Sequence, residues 1–321
     1  MFYPLELVAS WLTYSVLRIS PQTLLASSVN FFVADVLKIF ILLLVIIFVI
    51  SFIRTYLPPQ KVRAFLAKKN KLVGHLLASL LGIVTPFCSC SAVPLFLGLV
   101  EAGVPLGVTF SFLIASPMIN EVAVVLLFGL FGWKIAGLYI LSGLIIAIVS
   151  GLIIGRLKIE NLVADFVWQH KIQEASGAEV KMTWQARIKY SLNYTLDIIN
   201  RVWFFIIIGV GLGAWIHGYV PADFLVRYAG AGNWYAVPLA TLIGIPLYSN
   251  AAGIVPLIQA LTEKGLALGT TLAFMMAVTA LSLPEFLILK KVMKTKLIII
   301  FASIVGSGII LTGYLFNLIL K

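Results

Sequence analysis

The sequence predicts an all-α polytopic membrane protein made of two inverted repeats, each with three transmembrane helices and one re-entrant broken-helix hairpin. Three observations predict this fold class: 61% of the 321 residues are hydrophobic, only 11% are charged, and the sequence repeats itself at an offset of 162 residues. A soluble domain carries about 25% charged residues. So apolar a chain cannot present a charged surface to water, which excludes a soluble enzyme, a disordered chain and a secreted disulfide scaffold.

Six apolar runs are long enough to cross a bilayer, which takes about 20 helical residues. They are 33–53, 106–131, 134–155, 196–219, 268–288 and 297–319. Within two of these runs, Pro117 and Pro284 suggest helix breaks, since proline removes a backbone hydrogen bond.

Four shorter apolar runs form two pairs, 72–84 with 91–100 and 234–247 with 251–261. A polar, proline-bearing segment separates the members of each pair. These two tips are Thr85-Pro86-Phe87-Cys88-Ser89-Cys90-Ser91 and Pro246-Leu247-Tyr248-Ser249-Asn250. Irregular backbone at membrane depth is tolerated where protein or a water-filled cavity surrounds it.

The distribution of charge predicts the orientation of the chain. The net charge is +11, and the loops 54–71, 156–190 and 289–296 hold 16 of the 23 lysines and arginines. Basic loops concentrate on the cytoplasmic side, so we expect all three loops there. This requires that 72–101 and 234–262 each return to the face from which they enter. The basic excess is therefore a topology signal, and no nucleic-acid partner is expected.

The internal repeat appears at charged, glycine and proline positions as well as apolar ones. The string EAGVPLGVTFSFLIA from Glu101 aligns with EKGLALGTTLAFMMA from Glu263, and Asp35 aligns with Asp197. Three spans per unit make the second unit inverted relative to the first. We expect an interfacial lead-in at 1–28, repeat 1 at 29–155, a cytoplasmic loop at 156–190 and repeat 2 at 191–321. Inverted repeats with broken helices are a recurrent transporter design, with the site between the repeats.

The first tip carries both cysteines of the chain, Cys88 and Cys90, with Ser89 and Ser91 beside them. We expect a half-helix to begin at Ser91, and its positive N-terminal end favours the thiolate form. Two soft sulfur donors suit As(III), Sb(III) or Cu(I). The alternative is that both thiols are small buried residues that pack a tight hairpin. At the second tip, Tyr248, Ser249 and Asn250 either bind substrate or satisfy the broken backbone.

Two carboxyl groups lie within predicted spans, Glu121 after Asn120 and Glu285 after Pro284. An ionisable group at membrane depth is costly and indicates function by default. We predict that either carboxyl can carry a proton, with Asn120 as a neutral hydrogen-bond partner; a purely structural carboxyl is the alternative.

Other polar residues within the predicted spans suggest local roles. We expect Asp35 to pair with Lys38, and Asp197 with Arg201, along their own helices. The histidines His75, His170 and His217 show no metal-ligand spacing.

The segments TPFCSCSAVPLFLGLVEAGVPLGVTFSFLIASPMINEVAVVLLFGLFGW, IPLYSNAAGIVPLIQALTEKG and ALSLPEFLILKKV resemble the predicted-permease family that includes ArsP-type organoarsenical efflux permeases. The resemblance runs from about residue 30 to 320. It implies an inner-membrane permease that exports trivalent organoarsenicals such as methylarsenite, with Cys88 and Cys90 at the substrate. Relatives that export metal ions carry a further cysteine at the second tip, where this chain has Tyr248-Ser249-Asn250.

Together these features predict a multi-pass secondary permease of the inner or plasma membrane that exports a soft, thiol-reactive solute. Nothing resembles a nucleotide-binding loop, and neither catalysis nor a cofactor is expected. The partners are a small-molecule or metalloid substrate and the lipid bilayer. Three alternatives stay open: a dithiol electron carrier that uses Cys88 and Cys90, a permease for another metal ion or small solute, and a channel lined by the hairpins.

Overall fold

A computed structural model describes residues 3–20, 22–55, 71–84, 89–101, 103–164, 183–219, 233–247, 251–263 and 265–320. Within these ranges the chain is helical, apart from turns and one isolated antiparallel bridge between Val163 and Met293. The predicted all-α class is thus confirmed for the described part of the chain. The predictions for Cys88, Tyr248, Ser249 and Asn250 concern residues outside these ranges.

The first half of the chain forms helices α1 to α6. They are α1 (Tyr3–Ser10, continued as a π-helix over Trp11–Val16), α2 (Leu24–Arg54), α3 (Lys71–Val84), α4 (Ser89–Glu101), α5 (Leu106–Met118) and α6 (Glu121–Arg156). Helix α2 covers the predicted span 33–53 and already begins within the predicted lead-in.

The second half forms helices α7 to α12. They are α7 (Trp184–Tyr219), α8 (Ala236–Gly244), α9 (Ala251–Glu263), α10 (Leu268–Ala280), α11 (Leu283–Leu289) and α12 (Thr295–Ile319). The bounds of α9 and α10 differ from those of α4 and α5 by 162 residues at both ends. The offset found in the sequence therefore recurs in the helix bounds.

Two long predicted spans are discontinuous helices. Ile119 ends α5 with its N–H bonded to the Ala115 carbonyl at 2.9 Å, and Leu281 ends α10 with the equivalent bond to Ala277 at 2.9 Å. Proline near each break removes a helical N–H; Pro117 lies in the last turn of α5, and Pro284 starts α11. The predicted breaks are confirmed.

A third irregularity falls where the sequence separates the runs 106–131 and 134–155. Gly132 has φ +83° and interrupts α6. A positive φ strains any residue with a Cβ and is easily adopted by glycine. Each of the discontinuous spans is thus followed by a further break, at Gly132 in the first half and at 290–294 in the second.

Helix α3 runs parallel to α5. His75 contacts Ser111, and farther along Gly82 approaches the backbone of Phe112 and Ser116, so closely that a Cβ on Gly82 would lie 3.0 Å from the Phe112 oxygen. Helix α4 lies between them in sequence and turns into α5 at Gly103, whose φ is +82°. In the second half α8 and α10 repeat this arrangement, with Gly244 against Phe274 and a turn at Gly265, φ +93°.

The edges of the three basic loops lie together. The Arg187 guanidinium donates a hydrogen bond to the Thr55 hydroxyl at 3.0 Å, which joins the end of α2 to the start of α7. Ala164 N–H donates to the Val292 carbonyl at 2.8 Å, and Lys294 N–H to Leu162 at 2.8 Å. One end of the loop 156–190 thus contacts the start of the loop 54–71, and its other end contacts the loop 289–296.

Among the described residues, three helical segments are long and apolar enough to cross a membrane: Glu121–Arg156, Leu268–Leu289 and Thr295–Ile319. The central segment combines α10 and α11 and is the most deeply packed of the three. Its neighbours cover it on nearly every side, as expected of an interior helix rather than a lipid-facing one.

The N-terminal helix α1 packs on α2 and corrects one expectation. Lys38 donates to Glu6 at 2.8 Å, whereas the sequence predicts a bond to Asp35 one turn earlier on the same helix. This ion pair lowers the pKa of Glu6. The carboxylate of α1, thirty-two residues away in sequence, takes the ion-pairing position instead, while the Lys38 charge still acts on Asp35.

Candidate functional site

The two helix breaks lie around one buried phenol. Tyr139, on α6, is fully buried, and its hydroxyl donates a hydrogen bond of 2.6 Å to the Met118 carbonyl at the end of α5. The same hydroxyl interacts with the side chain of Thr279, in the last turn of α10. Tyr139 therefore joins the end of one broken helix to the end of the other.

Glu285 lies in the first turn of α11, directly after the second break, and its side chain is 0% exposed. Helix α11 packs against α4 and α7. The Leu283 N–H donates to the Ile245 carbonyl at 2.9 Å, so the start of α11 also lies against the segment that leads into the second tip. The structure thus holds Glu285 inside the protein, between elements of both halves.

Glu121 has a different environment from Glu285. It is the first residue of α6, and its side chain is exposed on the protein surface. The sequence predicts a similar interior position for both carboxyls. Hydropathy gives the depth of a residue along a span but not the face of the helix on which it lies, and here the two faces differ.

Asn120, predicted to bind substrate or a carboxyl group, caps α6. Its side-chain oxygen accepts a hydrogen bond of 2.9 Å from the Val122 N–H. Asparagine is among the preferred N-cap residues because this bond satisfies a free helical donor. The side-chain oxygen of Asn120 thus helps to hold the helix break.

At the first tip, the structure describes Ser89, Cys90 and Ser91 by their backbone alone. They form the first turn of α4, so the helix begins two residues before the predicted start at Ser91. The first N–H groups of a helix have no intrahelical acceptor and carry partial positive charge. The predicted location of the cysteine motif at a half-helix N-terminus is thereby supported for Cys90. Helix α9 begins at Ala251, directly after Tyr248-Ser249-Asn250.

The two halves pack crosswise at this centre. Helix α11, which carries Glu285, packs against α4 of the first half, and α9 of the second half packs against α6. A row of phenylalanine rings crosses the same junction, with centroid separations of 5.2, 5.7 and 6.4 Å. In order, the rings are Phe96 on α4, Phe110 on α5, Phe301 on α12 and Phe286 on α11.

Sequence reasoning missed three buried polar features of the protein. No sequence motif points to Tyr139, and Glu101 marks only the repeat, yet Glu101 is 2% exposed and accepts a hydrogen bond of 3.2 Å from the Tyr194 hydroxyl. The third is a buried contact between His75 and Ser111. Two of the three could have been found from the sequence. At the offset of 162, Tyr139 aligns with Phe301 and His75 aligns with Val237, so the first half has a polar residue where the second half has an apolar one.

Long apolar helices, two helix breaks and a buried carboxyl between the halves define an integral membrane protein of the transporter class. The chain belongs to the ArsP_1 family of predicted permeases, whose family model matches residues 24–318. This confirms the resemblance seen in the sequence.

The similar curated proteins are distant relatives. UPF0718 protein MJ0584 of Methanocaldococcus jannaschii is 25% identical, over 78% of this chain and 86% of the relative. A Streptococcus mutans protein named as a subunit of a two-component membrane permease complex is 26% identical, over 79% and 82%. UPF0718 protein YraQ of Escherichia coli is 23% identical, over 76% and 68%. No solved structure matches the chain.

Proposed function

We propose that this chain is a secondary permease of the inner or plasma membrane that exports a soft, thiol-reactive solute such as a trivalent organoarsenical, coupled to protons. One observation carries the proposal. Glu285, a fully buried carboxyl at a helix break of one half, lies on α11, which packs against the helix that begins with the cysteine motif of the other half. A buried ionisable group in a membrane protein indicates an ion or substrate path.

Contacts between small residues support the inverted, re-entrant topology. Helix α5 begins beside the end of α6, with Gly107 against Gly155, and α10 begins beside the end of α12, with Gly269 against Asn317. The end of α6 lies near the basic loops, whereas α12 starts near them and ends at the opposite side. The two hairpins would then open towards opposite faces and bring their tips to the middle of the membrane.

In this arrangement the two tips contribute different kinds of contact to the substrate. Cys88 and Cys90 would offer reversible thiolate contacts to a soft centre, and Ser89 and Ser91 would add hydroxyl groups at the helix N-terminus. Tyr248, Ser249 and Asn250 of the second tip would contribute neutral hydrogen bonds. Release of the substrate requires that these contacts stay weak, because a site closed by several thiolates would retain it.

Glu285 is the principal proposed proton carrier, since its burial links its charge to the state of the surrounding helices. Its neutral form suits the packed interior, and its ionised form needs water or a cation beside it. Glu121 is the second proposed carrier; its exposed position suits exchange of protons with an aqueous cavity. Alternation between the two states of Glu285 would couple proton movement to the opening of the site.

The test is accumulation of substrate in everted membrane vesicles under an imposed proton gradient. The panel contains methylarsenite, arsenite, antimonite, Cu(I) and Zn(II). Three variants are compared with the wild type: Cys88→Ser with Cys90→Ser, Glu285→Gln, and Glu160→Gln as a control. Glu160 is an exposed carboxyl in a short helical turn, remote from the helix breaks in sequence.

We expect saturable accumulation of methylarsenite in the wild type and in Glu160→Gln. The double serine variant should lose accumulation. Glu285→Gln should lose its response to the proton gradient but keep exchange of labelled for unlabelled substrate. Accumulation that survives the double serine change would make the cysteines structural, and a solute-independent disulfide between them would favour the electron carrier. If nothing on the panel accumulates, the organoarsenical assignment is wrong.

A further inference from the structure

A buried histidine lies outside the proposed site, on the first helix of the first hairpin. His75 is 5% exposed, and its Nδ1 lies 2.8 Å from the Ser111 Oγ. The Ser111 hydroxyl lies 3.0 Å from the Ala147 carbonyl, which can only accept. The hydroxyl also lies 3.4 Å from the Gly107 carbonyl. With its proton on either carbonyl, the hydroxyl accepts from His75 Nδ1–H, and the neutral imidazole in this tautomer carries a lone pair on Nε2.

The backbone around this pair is packed too tightly to adjust. A Cβ added to Gly107 would lie 2.5 Å from the Gly151 oxygen and 2.8 Å from the Gly155 Cα. A Cβ added to Gly151 would lie 2.9 Å from His75 Nδ1. Helices α3, α5 and α6 thus meet here with no room for a Cβ on Gly107 or Gly151.

The second half builds the same junction without polar side chains. At the offset of 162, His75, Ser111 and Gly151 correspond to Val237, Ala273 and Gly313. A Cβ on Gly313 would lie 2.6 Å from Val237 Cγ1 and 2.8 Å from Ala273 Cβ, so the three residues meet as their counterparts do. Since Val and Ala suffice for the packing, the histidine and serine of the first half serve another purpose.

We propose that the His75–Ser111 pair is a proton-binding site that controls how firmly the first hairpin is held against the rest of the protein. With a neutral imidazole, the Nδ1–H···Oγ bond fastens α3 to α5. A second proton on Nε2 places a positive charge on a side chain that is only 5% exposed. Burying an uncompensated charge is costly, so protonation favours a state in which α3 separates from α5 and α6.

The charged groups on the neighbouring helices do not offset such a charge. Helix α5 contains no titratable residue. Helix α6 contains Arg156, five residues after Gly151, and Glu121, Lys134 and Tyr139, all toward its other end. Helix α3 itself contains Lys71, one turn before His75. The closest of these in sequence, Lys71 and Arg156, are cations, and none forms a hydrogen bond to His75 among the described contacts.

The consequence for transport rests on the proposed function, but the site itself can be tested without a substrate. Purified protein in detergent is unfolded by heat at about pH 7.5 and about pH 5.5, on either side of the ordinary imidazole pKa of about 6.5. Two variants are compared with the wild type. His75→Val with Ser111→Ala installs the residues of the second half, and His75→Asn keeps a hydrogen-bond donor without a titratable ring.

At the lower pH we expect the wild-type unfolding midpoint to fall by about 2–4 °C more than that of either variant, the size of shift that about 1 kcal/mol produces in a large domain. At the higher pH, His75→Asn should match the wild type. Equal pH responses in all three proteins would overturn the proposal. If the double variant fails to fold, the comparison of the wild type with His75→Asn still tests whether the pH response depends on His75.

A second arm measures exchange of labelled methylarsenite in everted vesicles, with the same pH on both sides. We expect the exchange rate of the wild type to change between the two pH values and that of both variants to stay constant. A pH response of the unfolding midpoint that depends on His75, without any transport, would refute the proposed function and leave the proton site standing. Transport with the same pH response in all three proteins would refute the proton site alone.

Discussion

At the scale of single residues, the first helix break depends on two side chains with different tasks. Asn120 satisfies a free N–H on one side of the break, and Tyr139 satisfies the Met118 carbonyl on the other. In a membrane interior no water is present to form a hydrogen bond with an unpaired backbone group. The break can persist because these two side chains replace the helical hydrogen bonds that are missing there.

The Tyr139→Phe variant tests this role. It removes the bond to Met118 and keeps the ring, so we expect a loss of about 1–3 kcal/mol for a buried carbonyl left without its donor. Thermal unfolding in detergent measures the effect. The matched control is Tyr235→Phe, at a tyrosine that is 44% exposed, which should change stability little. Equal stability of the two variants would contradict the role given to Tyr139.

At the scale of helices, the sequence predicts most elements and their breaks. Hydropathy locates the spans, and Pro117 and Pro284 indicate where two of them are interrupted. Bonds between distant elements could not be predicted in the same way. Lys38 binds Glu6 rather than Asp35, and the environments of Glu121 and Glu285 differ, because both facts depend on which neighbouring helix covers a given face.

Close approach between helices explains the small residues at matched positions of the two halves. Gly107 lies against Gly151 and Gly155, and Gly269 lies against Gly313 and Asn317. Small residues let helix backbones approach closely, which favours association in membranes, where the hydrophobic effect between helices is absent.

The Gly107→Ala variant tests this packing. The added Cβ would meet backbone atoms that cannot rotate away, so we expect a loss of about 1–3 kcal/mol from overpacking. The control is Gly137→Ala, on the same pair of helices, where an added Cβ meets nothing within 4 Å. It should gain up to about 1 kcal/mol from the higher helix propensity of alanine. Equal thermal midpoints for the two variants would argue against tight packing at Gly107.

At the scale of the whole molecule, the two halves share matching helix bounds, and each contributes a broken helix. Helices α4 and α9 each pack on the other half. The offset of 162 was visible in the sequence. The cysteine motif and the buried carboxyl were visible too, but their association through α4 and α11 arises only when the halves come together.

The most direct test of the inverted two-repeat permease is the sidedness of single cysteines. In a background with Cys88→Ser and Cys90→Ser, one cysteine is introduced at each of three exposed positions, as Gln185→Cys, Lys296→Cys or Asn233→Cys. A membrane-impermeant maleimide is applied to intact cells and to everted vesicles. We expect the first two to react only in everted vesicles, and Asn233→Cys only in intact cells. Reaction of all three from the same side would contradict the inverted repeats on which the proposed transport mechanism rests.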